Sequence, residues 1–116
     1  MPPRDWAFRV QDILDAIAKI QRYVSHSDFE AFENDEEIID AVVHNLTVIG
    51  EAARHIPSEI TGRHPDIPWR PMIDLRDFTV HAYWNLRPSV IWETIQDDLP
   101  PLVGPLRILL ANSDGP

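Results

Sequence analysis

Arg76, His81 and Tyr83 lie close together in the chain and could jointly act on a phosphodiester. Cleavage of RNA without a metal needs a base for the ribose 2′-hydroxyl and a cation for the charge that grows on the phosphate. Histidine, whose ordinary pKa is about 6.5, suits that proton transfer near neutral pH, and arginine is a permanently charged, forked donor to phosphate oxygens. Tyrosine adds a hydroxyl that donates a hydrogen bond, or a ring that stacks on a base.

The spacing of these residues limits how they can meet. At about 100° per residue on a helix, Arg76 and Tyr83 lie about 20° apart, whereas His81 lies about 140° from Arg76. Either the helix ends near His81, or the arginine and the histidine converge across a two-fold dimer. A purely structural interpretation is also possible. Arg76 could pair with Asp77 or another acid, and His81 and Tyr83 could be interior residues whose polar groups have hydrogen-bond partners. Spacing alone does not decide between these interpretations.

The first half of the chain predicts two long helices. Residues 5–23 carry an apolar stripe of 3.6-residue period, which indicates the first helix. Residues 25–33 are predicted to be a polar connection that places Phe29 and Phe32 against the core. Asn34, with Glu37 three residues later, has the spacing of a helix cap and predicts the start of a second helix. Pro57 is expected to stop this helix, because proline cannot donate into the hydrogen-bond ladder.

The second half predicts shorter helices separated by proline-rich breaks. Residues 57–68 are expected to be irregular, and a third helix to begin near Trp69 or Arg70 and run towards Tyr83. Residues 85–88 are predicted to form a turn, residues 90–95 a fourth helix and residues 102–110 a shorter last helix after a proline break. No stretch of the sequence alternates between apolar and polar residues as a β-strand would. We therefore predict one all-α domain over residues 1–116, an antiparallel four-helix bundle with a short extra C-terminal helix.

Composition restricts the function classes. The 116 residues suit one compact domain, and the absence of cysteine excludes disulfides and thiolate metal sites. The formal net charge of −9 opposes nucleic-acid binding. However, residues 54–87 hold five arginines and three histidines against four acids, so an anion would bind there. No signal-peptide layout and no apolar run of about 20 residues is present, so we expect a cytoplasmic protein that does not enter the membrane.

Several segments resemble one known family. Arg76, His81 and Tyr83 match the Arg-x4-His-x-Tyr motif of HEPN domains. Residues 45–53 (NLTVIGEAA), 67–70 (IPWR), 91–95 (IWETI) and 98–102 (DLPPL) resemble further family segments in the same order. The chain is therefore similar, from about residue 6 to residue 110, to the HepT-like HEPN ribonuclease toxins of the HepT/MntA toxin–antitoxin family.

The resemblance implies roles residue by residue. It implies that Arg76 contacts the phosphate, that His81 is the general base or acid, and that Tyr83 is the tyrosine that an MntA-type nucleotidyltransferase antitoxin adenylylates. It also implies a homodimer that cleaves RNA without a cofactor. Two positions depart from the pattern: Asp77 replaces a polar residue that is often asparagine, and Ala82 a common glycine. An acid at position 77 could hold Arg76 and repel substrate phosphate.

Other candidates remain open. Glu51 could support catalysis, but we favour the interpretation that Gly50 lets two helices approach closely and that Glu51 pairs with an arginine. His55 and His64 have no third ligand at metal spacing, so no metal site is expected. Two other functions compete with ribonuclease activity. One is a non-cleaving HEPN subunit that binds nucleotide or docks a minimal nucleotidyltransferase, which the charge and Asp77 favour; the other is a structural helical dimer with vestigial residues.

Overall fold

The computed structural model describes residues 5–81 and 86–112, and for Phe78, Val80 and His81 it describes the backbone alone. Within these ranges no residue lies in a β-strand, which confirms the predicted all-helical bundle. The helices are α1 (Asp5–Val24), α2 (Phe29–Glu33), α3 (Glu36–Arg54), α4 (Ser58–Arg63), α5 (Trp69–His81), α6 (Pro88–Glu93) and α7 (Pro100–Asn112), with a π-helical turn (Thr94–Asp98) between α6 and α7. Over the described residues, no helix is both long and apolar enough to cross a membrane.

Helix α3 lies at the centre of the bundle and packs against both α1 and α5. Its apolar residues recur with the 3.6-residue period of an α-helix, so that they form one continuous buried stripe. The stripe of α1 consists of Val10, Ile13, Ala16, Ile17, Ile20 and Val24, all of them buried. Burial of these two stripes against each other supplies the main driving force for folding, and the predicted extent of α1 is confirmed to within one residue.

The connection between α1 and α3, which we had predicted as a polar connection, contains the short helix α2. The side chain of Asn34 donates a hydrogen bond to the carbonyl of Glu30 at 2.9 Å and thereby ends α2. Asn34 is therefore not the N-cap of α3, and that prediction is wrong. Asp35 is the cap, accepting a hydrogen bond from the amide of Ile38 at 3.1 Å. The spacing of Asn34 and Glu37 pointed to the wrong cap residue because α2 ends directly before α3 begins.

The second connection is also more helical than predicted. Helix α3 ends at Arg54, with His55 as its C-cap, three residues before the proline that we expected to stop it. Pro57 instead opens α4, since its carbonyl accepts the amide of Ile60 at 2.9 Å. Ile60 is buried in the core and anchors this short helix. A proline that cannot continue one helix is well suited to begin the next.

In the C-terminal part of the chain, a π-helical turn continues α6. The amide of Leu99 donates to the carbonyl of Thr94, five residues back, at 3.1 Å. Helix α7 then begins at Pro100, two residues before the predicted start, because amides in the first helical turn need no partner within the helix. Helix α7 packs against α1, and α6 against α2, where the rings of Phe32 and Trp92 lie 5.1 Å apart. These contacts close the core around α3.

Candidate functional site

Helix α5 carries Arg76 and begins at Trp69, as predicted. The indole nitrogen of Trp69 donates a hydrogen bond to the carbonyl of His64 at 3.0 Å, which ties the preceding turn to the start of the helix. Pro71 lies in the first helical turn, where its missing amide costs nothing, and Met72 is buried in the core. The first part of α5 is thus anchored before the chain reaches Arg76.

Gly50 on α3 lies directly against Arg76 on α5. A Cβ atom added to Gly50 would collide with the backbone nitrogen of Arg76 and would lie 2.5 Å from its Cβ. Real Cβ atoms do not approach other atoms this closely, so a residue with a side chain cannot occupy this position without a shift of the helices. This geometry confirms the interpretation of Gly50 as a point of close helix approach.

A pair of threonines fastens the same two helices. The hydroxyl oxygens of Thr47 and Thr79 lie 2.6 Å apart, and Thr79 is almost fully buried. Thr47 faces Thr79 and Gly50 faces Arg76, so the residue numbers rise along α3 while they fall along α5. The two helices are therefore antiparallel, as predicted. We had not identified these threonines as important from the sequence. Thr47 lies three residues before Gly50 on α3, and Thr79 lies three residues after Arg76 on α5.

The guanidinium group of Arg76 contacts two carboxylates. Its Nε lies 3.3 Å from Oε2 of Glu51, and its Nη1 lies 3.2 Å from Oδ1 of Asp77. The pairing of Glu51 with an arginine, which we favoured, is thus observed, and so is the suspected contact of Asp77. The side chain of Arg76 keeps 32% of its surface exposed. It is oriented by the two carboxylates and still accessible to a ligand.

Two further basic residues of the last turn of α3 approach Glu51. The Nη1 of Arg54 lies 4.0 Å from Oε2, the same oxygen that Arg76 contacts, and the Nδ1 of His55 lies 3.8 Å from Oε1. The Nδ1 of His55 also donates a hydrogen bond to the carbonyl of Glu51 at 2.8 Å, which fixes the ring at the end of the helix. Arg54 had been counted in the arginine-rich stretch of residues 54–87 but given no individual role, and its position one turn after Glu51 was the available signal.

The other two motif residues are only partly covered by the structure. His81 is the last described residue of α5, with its backbone alone described, and Tyr83 lies outside the described residues. Helix α5 is continuous from Arg76 to His81, so the offset of about 140° holds, with a rise of about 7.5 Å along the axis. The structure therefore does not bring Arg76 and His81 to one face of a single helix.

The described side chains offer no obvious metal centre, and a separate cleft carries the wrong charge for phosphate. Within residues 5–81 and 86–112, no group of three or more His, Asp or Glu residues could hold a metal ion. A cleft of about 520 Å³ lies between α5, the π-helical turn and α7. It is lined by apolar groups, such as Met72 and Leu102, and by the carboxylates of Asp66, Asp97 and Asp98. Three carboxylates repel a polyanion, so this cleft does not suit a phosphate.

Comparison with known proteins identifies the family. Residues 13–107 match the family described as ribonuclease HepT-like. The chain belongs to this family. A protein of Thermococcus cleftensis named "Probable ribonuclease HepT" is 39% identical over 95 residues, which cover 82% of this chain and 86% of that protein. The comparison with solved structures found no match.

Two further relatives extend the likeness over nearly the whole chain. Both are proteins of Methanocaldococcus jannaschii named "Putative RNase". One is 35% identical over 100 residues, covering 86% of each chain, and the other is 31% identical over 115 residues, covering 99% of this chain and 95% of its own. The match to the HepT-like family contains Gly50, Glu51, Arg76, His81 and Tyr83, so every candidate residue lies in the part of the chain that the family shares.

Proposed function

We propose that this HepT-like protein is a metal-independent endoribonuclease and the toxin component of a toxin–antitoxin pair in the cytoplasm. Its membership of the family and the names of its relatives support the reaction class. The observation that carries the proposal is Arg76, which is oriented by Glu51 and Asp77 and still one-third exposed. An arginine fixed in this way is prepared to bind a phosphate at little further entropic cost.

The proposed reaction uses the substrate's own hydroxyl as nucleophile. His81 removes the proton of a ribose 2′-hydroxyl, whose oxygen attacks the adjacent phosphorus. The bond from phosphorus to the 5′-oxygen breaks, and a proton is delivered to that oxygen. The products are a 2′,3′-cyclic phosphate and a 5′-hydroxyl. Arg76 stabilises the negative charge on the non-bridging oxygens during the attack.

We propose a homodimer because one helix does not bring both catalytic residues together. Arg76 and His81 lie about 140° apart around α5. A two-fold axis beside α5 would place Arg76 of one protomer near His81 of the other. Light scattering should find a dimer at micromolar concentration, with a contact of more than roughly 1,000 Å². A monodisperse monomer would contradict this arrangement.

We propose that Tyr83 controls the ribonuclease activity. On a helix that continues past His81, Tyr83 would share a face with Arg76, about 20° away. An adenylyl group that an MntA-type nucleotidyltransferase antitoxin attaches to its hydroxyl would bring a phosphodiester towards Arg76. Charge-assisted hydrogen bonds to that phosphodiester would occupy the arginine. Modification would therefore exclude RNA by charge and by bulk.

The test is cleavage of a single-stranded RNA in the presence of EDTA. Activity should persist, the products should carry 2′,3′-cyclic phosphate ends, and a DNA oligomer of the same sequence should remain intact. Arg76→Ala and His81→Ala should each lower kcat/KM by about two or more powers of ten. Arg63→Ala, an exposed arginine on α4, is the matched control and should cleave as wild type does. Cleavage that requires magnesium would refute the proposal.

A non-cleaving role has one structural argument in its favour. Two carboxylates contact the single positive charge of Arg76, and the chain as a whole carries a net charge of −9. A HEPN subunit that only binds nucleotide or docks a nucleotidyltransferase would tolerate this charge balance. No cleavage of any RNA by the wild type would favour this second function, whereas wild-type turnover in both Arg76→Ala and His81→Ala would show that these two residues do not carry the cleavage.

A further inference from the structure

Glu51 lies between basic groups from two different helices. Oε2 of its carboxylate is 3.3 Å from Nε of Arg76 on α5 and 4.0 Å from Nη1 of Arg54 on α3. Because both nitrogens approach the same oxygen, they cannot be farther apart than these two distances taken together. The two guanidinium groups therefore belong to one compact surface, with the carboxylate of Glu51 between them.

The charge balance of this surface depends on Arg54. Arg76 alone faces two negative charges, those of Glu51 and Asp77, so a phosphate that approached only these three groups would meet net repulsion. Adding Arg54 makes the numbers of positive and negative groups equal. The protein's overall charge gives no compensating attraction. Arg54 thus removes the net repulsion that an anionic substrate would otherwise meet at Arg76.

Arg54 is also free to turn towards a ligand. Its separation from Glu51 is at the limit of an ion pair and too long for a hydrogen bond. Its side chain keeps 56% of its surface exposed, so several of its donors face solvent. The backbone beneath it is held in place, because Gly50 packs directly against Arg76 one helical turn away. The separation of the backbone segments that carry Arg54 and Arg76 is thereby set by a contact that cannot close further.

We propose that Arg54 binds an RNA phosphodiester next to the one that Arg76 holds, so that the two arginines grip neighbouring phosphates of one strand across Glu51. This inference rests on the proposed ribonuclease function. Arg54 would contact the phosphate and no base, so it would contribute affinity and position along the strand without sequence preference. Arg54 is a binding residue, and its loss should weaken binding without slowing the chemical step.

The salt dependence of binding provides the sharpest test. For single-stranded nucleic acid, each phosphate that a protein neutralises contributes about 0.7 to the slope of log K against log salt concentration. The probe is a fluorescein-labelled, fully 2′-O-methylated RNA decamer, which cannot be cleaved because the attacking hydroxyl is blocked. Its Kd is measured by anisotropy with the full-length protein between about 50 and 300 mM salt.

Arg54→Gln should raise the Kd roughly three- to tenfold and reduce the slope by about 0.7. Arg54→Lys keeps the charge and should restore the slope. Arg22→Gln is the matched control: it removes the same charge from an exposed residue on α1, beside Tyr23, and should change neither quantity. Thermal unfolding of all variants, followed by circular dichroism, verifies that they are folded. In cleavage assays Arg54→Gln should raise KM and leave kcat unchanged.

The outcomes separate this inference from the proposed function. If the wild type cleaves RNA and Arg54→Gln has the wild-type slope and KM, the phosphate site at Arg54 is refuted while the ribonuclease stands. If the wild type binds the decamer through Arg54 but cleaves no RNA, the phosphate site stands and the ribonuclease function fails. A wild-type protein that does not bind the decamer refutes the site at Arg54.

Discussion

Replacing Gly50 by alanine tests the central contact of the site. The added Cβ would lie 2.5 Å from the Cβ of Arg76, whereas ordinary van der Waals contacts are 3.4–4 Å. Arg76 meets the new atom with its backbone and its Cβ, which cannot rotate away as the end of a flexible side chain could. Helices α3 and α5 must therefore separate by about 1 Å at this point, which also strains the hydrogen bond between Thr47 and Thr79.

The size of the effect follows from three contributions. Overpacking of this kind costs about 1–3 kcal/mol, and weakening a buried hydrogen bond costs about 0.5–1.5 kcal/mol. Alanine in place of glycine inside a helix returns about 1 kcal/mol. The free energy of unfolding should thus fall by about 0.5–3.5 kcal/mol, and the Tm by roughly 4 °C for each kcal/mol.

Urea denaturation followed by circular dichroism at 222 nm measures this change. Gly62→Ala in α4 is the matched control, because nothing lies within 4 Å of the position its Cβ would take. This variant should keep the wild-type stability or gain up to about 1 kcal/mol. If Gly50→Ala were as stable as wild type, or gained as much as Gly62→Ala, the close contact of α3 and α5 at Arg76 would be disproved.

Three further predictions concern single side chains. Thr79→Val should lower the free energy of unfolding by about 1 kcal/mol, and a double-mutant cycle with Thr47→Val should show coupling of at least about 0.5 kcal/mol; purely additive effects would mean that the two hydroxyls do not interact. Asp77→Asn removes a negative charge beside Arg76 and should raise kcat/KM by up to about fivefold, the upper range for an exposed pair; a lower kcat/KM would instead make Asp77 a supporting residue. Tyr83→Phe should cleave RNA but gain no AMP in intact mass after incubation with the nucleotidyltransferase and ATP; a mass gain in this variant would place the modification elsewhere.

Local signals in the sequence were sufficient for most helices and for the candidate residues. The 3.6-residue stripe of α1 and the prolines around Trp69 predicted the bounds of α1 and the start of α5 to within about one residue, because apolar period and proline geometry act over a few neighbouring residues. The same local rules failed where helices nearly touch along the chain. Asn34 resembles an N-cap, yet it ends α2, and only the next residue, Asp35, caps α3.

The sequence by itself determined that the part of the chain that the structure describes is all-helical, that Arg76 lies on the third long helix, and that His81 is turned about 140° away from it. The tertiary structure alone decided that Arg76 contacts Glu51 and that Arg54 shares this acid. These contacts depend on the antiparallel register of α3 against α5, which Gly50 and the Thr47–Thr79 pair establish. Register is a relation between segments about 30 residues apart, and no pattern within either helix encodes it.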